Sequence, residues 1–211
     1  MPRGRYSLHD PYDGTPLGDE RFHCAPGSSG WRYVAQTTAP DGTPAGSVDL
    51  TIDHRGRPVR LELHAGGWQV RGAALDGVTW VRSDPAGTAA SEGNARAQGF
   101  TGTSPAFLIA TTQLLPPPPT PPGPATPAPH RLRLVALTHP VLAPRTLDQA
   151  WTRTGEDTHE ADTGVLRVTN YQVSDLETGE QHAVHVAGDV VLAAPGVELE
   201  ELDTPPNSLD G

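Results

Sequence analysis

The sequence contains no lysine, a single cysteine and no long apolar segment, and each absence excludes a class of protein. One cysteine, Cys24, cannot form an intrachain disulfide, so a scaffold held by disulfides is excluded. No stretch approaches the roughly 18 consecutive apolar residues that a membrane-spanning helix needs, which argues against integral membrane association. The opening residues, MPRGRYSLHDPYDG, lack the apolar core of a secretory signal peptide. The sequence therefore predicts a soluble, cytoplasmic protein.

Positive charge is also scarce, and the acidic excess is concentrated towards the C-terminal end. The chain has 25 acidic residues, 15 arginines and a net charge of −10. Up to Arg167 there are 16 acidic residues against 15 arginines, and after it nine acidic residues and no base. Binding to nucleic acid or to an anionic membrane surface needs basic clusters, so we predict neither partner. The nearly neutral body favours an apolar or amphipathic small molecule as ligand, and the oligomeric state stays open.

Apolar and polar residues alternate with a period of two along most of the chain, which is typical of half-buried strands. Clear runs begin at residues 48, 59, 68, 132, 147, 166 and 182. Tight-turn pairs such as Asp41-Gly42, Gly66-Gly67 and Asp76-Gly77 separate these runs. Sustained helical spacing is almost absent. About a dozen strands of this kind predict an all-β fold, in which a large curled antiparallel meander forms an open or half-closed barrel.

Several segments are expected to lie outside the sheet. The tract PPPPTPPGPATPAP, residues 116–129, cannot occupy a sheet interior because proline lacks an N–H and fixes φ. We interpret it as a proline-rich loop, with a partner site for a polyproline-binding module as the alternative. Residues 84–96 also have the composition of a loop. Residues 1–16 and the flexible acidic tail, residues 203–211, are expected to fray, and residues 1–211 are expected to form a single β domain.

No catalytic or metal-binding motif stands out. His182 and His185 are three residues apart, which on a strand places them on opposite faces, so a shared metal is not expected. Ser104 lies in a TSP sequence that is not a nucleophile elbow, and Cys24 stands next to a histidine from which it points away on an extended chain. No cofactor is predicted. A hydrolase or isomerase that uses Ser104 or a histidine remains the enzymatic alternative.

The aromatic residues are the strongest candidates for ligand contacts. Trp68, Trp80, Phe107, Trp151 and Tyr171 lie within or beside predicted strands. One interpretation is that they belong to an ordinary core. The other is that they line the concave apolar face of a curled sheet, which no predicted helix covers and which a ligand could fill. In that case Gln149 would supply a polar contact.

Four blocks of the sequence resemble a bacterial glycolipid-binding family. They are GWR at residues 30–32 with the later Gly67-Trp68 pair, GFTGTSPAFL at residues 99–108, the stretch 131–151, and the stretch 171–202 with GDVV at residues 188–191. The chain departs from the family pattern at residues 109–114, IATTQL, where the family has paired arginines, and in its proline-rich insertion. The resemblance implies a curled antiparallel half-barrel, similar to periplasmic lipoprotein carriers, with an apolar concave face.

The sequence thus favours a protein without catalytic activity that binds an apolar or amphipathic molecule, such as a lipid or glycolipid, on the concave face of a β half-barrel. The expected wall comprises Trp68, Trp80, Phe107, Trp151 and Tyr171, with Gln149 as the polar contact. The alternatives are an enzyme that uses the same cavity and an interaction protein that uses the proline-rich loop.

Overall fold

The computed structural model describes residues 1–27, 30–117, 128–161 and 164–207. Within these residues the chain forms fifteen strands and one helix. The first half contains β1 (Arg3–His9), β2 (Pro16–Gly27), β3 (Gly30–Thr38), β4 (Pro44–Ile52), β5 (Pro58–Ala65), β6 (Trp68–Ala74), β7 (Val78–Ser83) and β8 (Ala90–Ala95). The second half contains β9 (Gly99–Thr101), helix α1 (Pro105–Gln113), β10 (His130–Thr138), β11 (Ala143–Ala161), β12 (Gly164–Asp175), β13 (Gln181–Ala187), β14 (Val190–Ala194) and β15 (Val197–Leu202).

All the strands belong to one sheet, in the order β8-β7-β6-β5-β4-β3-β2-β1-β15-β14-β13-β12-β11-β10-β9. Neighbouring strands are antiparallel except for β9 and β10, which are parallel. The sheet is not closed into a barrel, because β8 and β9 are its two ends. The prediction of an all-β fold, in which a large curled antiparallel meander forms an open or half-closed barrel, is therefore confirmed, with the parallel pair β9–β10 as an exception.

The core lies on one face of this sheet and follows the predicted alternation. On β4, Val48, Leu50 and Ile52 are buried, and the residues between them are more exposed. The buried positions of β1, β2 and β3 include several aromatic residues, and the rings of Tyr6, Phe22 and Tyr33 stack at centroid distances of 4.7 and 5.5 Å. Because side chains on alternate positions point to the same face, the buried residues of these strands line the concave side of the sheet.

Helix α1 packs on this concave side and was not predicted. The side chain of Ser104 caps it by accepting from the N–H of Ala106, and Pro105 occupies the first turn. Seven of its nine residues are buried, including Phe107 and Ile109. A helix that is buried on nearly all sides has no exposed polar stripe, so its sequence lacks the periodicity by which an amphipathic helix is recognised. The expectation that no helix covers the sheet, and that Phe107 belongs to a strand region, was wrong.

Two segments that were expected to be irregular are strands. The expectation that residues 1–16 fray was wrong, because β1 pairs with β2 on one side and with β15 on the other. The interpretation of residues 84–96 as a loop was wrong for β8, which pairs with β7. The proline-rich segment falls largely outside the described residues, which end at residue 117 and resume at residue 128. The tail is described as far as Asn207.

Candidate functional site

The predicted ligand-contacting residues occupy three places on the concave side. Trp68 and Trp80 lie on β6 and β7, near one end of the sheet, and both pack against the main core while remaining partly exposed. Gln149 and Trp151 on β11 lie near the other end, with Tyr171 on the neighbouring β12. Phe107 lies on α1 and is buried. The structure therefore brings together Gln149, Trp151 and Tyr171 on neighbouring strands, whereas Trp68 and Trp80 lie on strands that do not pair with β11 or β12.

The group on β11 and β12 forms a contact network of its own. The indole N–H of Trp151 donates to Oε1 of Gln149 at 3.0 Å. The rings of Trp151 and Tyr171 meet edge to face with their centroids 5.7 Å apart. The side-chain carbonyl of Gln149 is thus engaged by the neighbouring tryptophan, and a polar ligand would meet its amide N–H₂ group or displace this bond.

At the other end of the sheet an arginine accompanies the two tryptophans. The guanidinium of Arg82 on β7 lies over the ring of Trp68, 3.7 Å from its centroid. Nε of Arg82 donates to the carbonyl oxygen of Val141 at 2.7 Å. Trp80 packs over the backbone of Gly93, where a Cβ atom would lie only 2.4 Å from the indole ring. Both aromatic rings are therefore held in place by close neighbours.

The middle of the concave face is filled by the protein itself. Helix α1 contacts β4 in one half of the strand order and β14 and β9 in the other half. The gap between the helix and the sheet, near Leu50, Phe100 and Phe107, is too narrow to hold a water molecule. In the described residues the apolar concave face is thus occupied by α1 rather than by an open cavity.

A buried carboxyl group joins α1 to the sheet, and sequence reasoning missed it. Oε1 of Glu20 on β2 accepts hydrogen bonds from Tyr33 Oη at 2.6 Å and from Ser104 Oγ at 2.8 Å. Burial raises the pKa of Glu20 to about 7, although both hydrogen bonds lower it in part. Burial also raises the pKa of the Tyr33 hydroxyl well above its ordinary value. The signal in the sequence was the position of Glu20 in an alternating row with Phe22 and Cys24.

The hydrogen bond from Ser104 to Glu20 argues against the enzymatic alternative, in which Ser104 acts as a nucleophile. A serine nucleophile is normally activated by a base that accepts its proton and is open to substrate. Here the Ser104 hydroxyl donates to Glu20, caps α1 and is 5 % exposed. Its described hydrogen bonds involve no histidine. This geometry fits a residue that anchors the helix.

A second buried carboxylate, Asp189, organises the turn between β13 and β14. Its Oδ2 atom accepts from Trp31 Nε1 at 3.2 Å, from Cys24 Sγ at 3.4 Å and from Asn207 Nδ2 at 2.8 Å. Its Oδ1 atom accepts from the backbone N–H of Asn207 at 2.7 Å. Burial raises the pKa of the Cys24 thiol strongly, and the adjacent carboxylate adds to this shift. These contacts hold the described end of the C-terminal segment against the sheet and keep Cys24 protonated.

A separate open groove, of mixed polar and apolar character, lies near the turn between β6 and β7 and the strands β10 and β11. It encloses about 620 Å³ and is lined by Asp76, Gly77, Arg96, Ala97, Gln98, Arg131, Leu132, Arg133, Asp148 and Leu176. Arg133 forms a two-bond ion pair with Asp148 on this surface. Among the described residues there is no group of three or more histidine, cysteine or acidic side chains that could hold a metal ion. That part of the chain also contains no helix with the length and apolarity to cross a membrane.

The fold places the chain among proteins built on a large, curled, open β-sheet, and one comparison with a solved structure agrees. The chain is similar to the crystal structure of a DUF1089 family protein from Pseudomonas aeruginosa, with a TM-score of 0.53 and 15 % sequence identity over 84 % of this chain and 89 % of that one. A β-barrel-like protein of domain of unknown function DUF1849 from Brucella abortus matches with a TM-score of 0.49 and 11 % identity, over 96 % and 97 % of the two chains. No protein-family model and no curated protein sequence matches the chain. The similarity to the DUF1089 family protein supports the assignment of the fold.

Proposed function

We propose that the protein binds an apolar or amphipathic molecule, of the lipid or glycolipid kind, on the concave face of its sheet, and that α1 occupies this face until the ligand displaces it. The observation that carries the proposal is a mainly apolar helix that is buried on nearly all sides and fills the concave face of an open sheet. A ligand with an acyl chain could replace the same apolar contacts, because the hydrophobic effect is not directional.

The hydrogen bonds of the polar groups in α1 support the proposal that a ligand can displace this helix. The hydroxyl of Thr111 donates to the carbonyl oxygen of Phe107 at 2.7 Å, and that of Thr112 donates to the carbonyl oxygen of Ile109 at 2.8 Å. These buried hydroxyls are therefore satisfied within the helix itself. Of the side-chain hydrogen bonds described here, the bond from Ser104 to Glu20 is the one that ties the helix start to the sheet. Withdrawal of the helix would leave few polar groups without partners.

The proposed ligand wall consists of the aromatic residues at the two ends of the concave face. Trp68 and Trp80 would contact the ligand on one side, and Gln149, Trp151 and Tyr171 on the other. Phe107 now fills the space between them from α1, and it would move with the helix or contact the ligand directly. The partial exposure of Trp68, Trp80 and Tyr171 supports this arrangement, since they are accessible before the helix moves.

The test combines a search for a bound lipid with a variant that weakens the packing of α1 on the sheet. Purified protein is analysed by native mass spectrometry and by solvent extraction, and titrated with an uncharged naphthylamine dye. Ile109→Ala removes a buried side chain from α1, which costs about 3 kcal/mol of helix packing. If the helix must leave before the ligand binds, this variant binds the dye more tightly than wild type.

The matched control is Val59→Ala, which truncates a side chain that is 42 % exposed. It should bind the dye as wild type does, and circular dichroism should show that both variants remain folded. A wild-type protein that carries no lipid and binds no dye would contradict the proposal. Equal dye affinity in wild type and Ile109→Ala would contradict the role of α1.

A further inference from the structure

Arg82 is exceptional among the arginines of this acidic protein. Within the described residues nine of the 15 arginines form an ion pair with an acidic side chain. Five of the remaining six are exposed, and Arg82 alone is partly buried. A guanidinium that is partly removed from water without a counter-ion is unfavourable, because its lost hydration is not repaid by an anion. Such a group is most stable when an external anion binds to it.

The orientation of Arg82 directs it towards the proposed ligand face. Val78, Trp80 and Arg82 are alternate residues of β7, so they project to the same side of the sheet, and Val78 is completely buried in the core. The neighbouring strand β6 presents Trp68 on this side, and its ring lies beneath the guanidinium. The cation therefore lies beside the two tryptophans that form one end of the concave face.

The contacts of Arg82 fix the guanidinium in place but use few of its donors. A guanidinium has five N–H donors in a planar fork. The Nε donor is used by the carbonyl oxygen of Val141 at 2.7 Å, and the plane is supported by the Trp68 ring. Neither terminal nitrogen makes a hydrogen bond or ion pair to the described residues. A fork that is already oriented and has free terminal donors is suited to a carboxylate or phosphate group, which it can bind through two parallel bonds.

We infer that Arg82 binds the anionic headgroup, a carboxylate or a phosphate, of an amphipathic ligand whose apolar part packs against Trp68 and Trp80. The inference rests on the proposed function, and it narrows the ligand from any apolar molecule to an anionic amphiphile. Trp68 supports the guanidinium on one side and offers apolar surface beside it, so headgroup and chain would be recognised by adjacent groups.

The experiment compares two ligands that differ in the headgroup alone. A pyrene-labelled fatty acid and the fatty alcohol of the same chain length are titrated into wild type, Arg82→Gln, Arg82→Lys and Arg96→Gln. Wild type should bind the acid about tenfold more tightly than the alcohol. Arg82→Gln should abolish this difference and leave the affinity for the alcohol unchanged. Arg82→Lys should retain part of the preference, because the charge remains but the planar fork is lost.

Arg96→Gln is the matched control, since Arg96 is an exposed arginine without an ion pair in the described residues, and it should keep the full preference for the acid. Thermal unfolding confirms that each variant is folded. Equal binding of acid and alcohol by wild type, or equal weakening of both by Arg82→Gln, would overturn the assignment of Arg82. Binding of neither ligand would overturn the proposed function as well. Inorganic phosphate is titrated separately, and binding as tight as that of the fatty acid would show a free-anion site in place of a headgroup site.

Discussion

Ser104 Oγ and Tyr33 Oη both donate to the same oxygen of Glu20, from distances of 2.8 and 2.6 Å. Ser104 also caps α1, so a fully buried carboxyl group of β2 is linked to the start of the helix that fills the concave face. Glu20 accepts hydrogen bonds from the Tyr33 and Ser104 hydroxyls, and the Tyr6 hydroxyl lies close by. No arginine is among them, so the carboxyl group is favoured in its protonated form.

The first prediction concerns the pH dependence of stability. The pKa of Glu20 rises from 4.5 to about 7 on folding, so this residue stabilises the folded state fully below pH 4.5. Its contribution is lost as pH rises to 7, and amounts to about 3 kcal/mol. Glu20→Gln keeps the size of the side chain but cannot ionise. Urea unfolding of both proteins from pH 4.5 to 8 should show that wild type loses more stability than the variant across this window, whereas parallel curves would contradict the prediction.

The second prediction concerns the link from Ser104 to the helix. Ser104→Ala removes the N-cap of α1 and one hydrogen bond to Glu20, and should lower the free energy of unfolding by about 2 kcal/mol. Because this hydrogen bond lowers the pKa of Glu20, its removal should also shift the pH-dependent loss of stability to higher pH. Ser91→Ala, at an exposed position on β8, is the control and should change neither quantity. An unchanged pH profile in Ser104→Ala would show that the two residues are not coupled.

The third prediction concerns the buried carboxylate at Asp189. Asp189→Ala leaves the Trp31 N–H and the Asn207 donors without their acceptor, which should cost about 3 kcal/mol of stability. The same change should increase the rate at which a thiol reagent modifies Cys24, which is 1 % exposed in the folded protein. Asp203→Ala, which removes an exposed ion pair with Arg3, is the control and should leave Cys24 protected. Equal labelling rates in wild type and Asp189→Ala would be the contrary result.

The fourth prediction measures how closely the end of α1 approaches the sheet. Gly56 has a φ of 75° and lies against the helix end, where a Cβ atom would be 2.5 Å from the carbonyl carbon of Gln113. Gly42 has a similar φ of 83° but open space around it. Gly42→Ala should therefore lose about 1 kcal/mol from backbone strain alone, and Gly56→Ala about 3 kcal/mol, since strain and overpacking add. If urea unfolding shows that both variants lose the same stability, the end of α1 can move away from residue 56 without a cost in free energy.

The strands could be predicted because each buries one face, and the period of two survives in the sequence. Val48, Leu50 and Ile52 show this pattern on β4. Helix α1 could not be predicted from periodicity, because it is buried on nearly all sides; the sequence Ser104-Pro105, a capping residue followed by proline, was the available sign. Strand β1 was missed because a chain terminus was expected to fray, although Tyr6 and Leu8 alternate as core residues do.

The candidate site was predictable in part for the same reason. That Gln149 and Trp151 share a face follows from their spacing of two residues on β11. Which end of the sheet they occupy, and how far they lie from Trp68 and Trp80, depends on the order of fifteen strands, which single-strand patterns do not contain. The buried Glu20 and the partly buried Arg82 depend on tertiary contacts with α1 and with Val141. A charged residue in an otherwise apolar row was the local sign of both.

The pairing of β1 with β15 determines the order in which the sheet can be assembled. Strands β1 to β8 form one meander and β10 to β15 the other, with β9 parallel to β10 at its edge, and backbone hydrogen bonds between β1 and β15 join the two. During synthesis the β1 edge of the first meander, which ends with β8 (Ala90–Ala95), stays unpaired until β15 (Val197–Leu202) has been made, about one hundred residues later. We expect this long-range pairing to slow folding and to leave β1 exposed to wrong partners in the meantime.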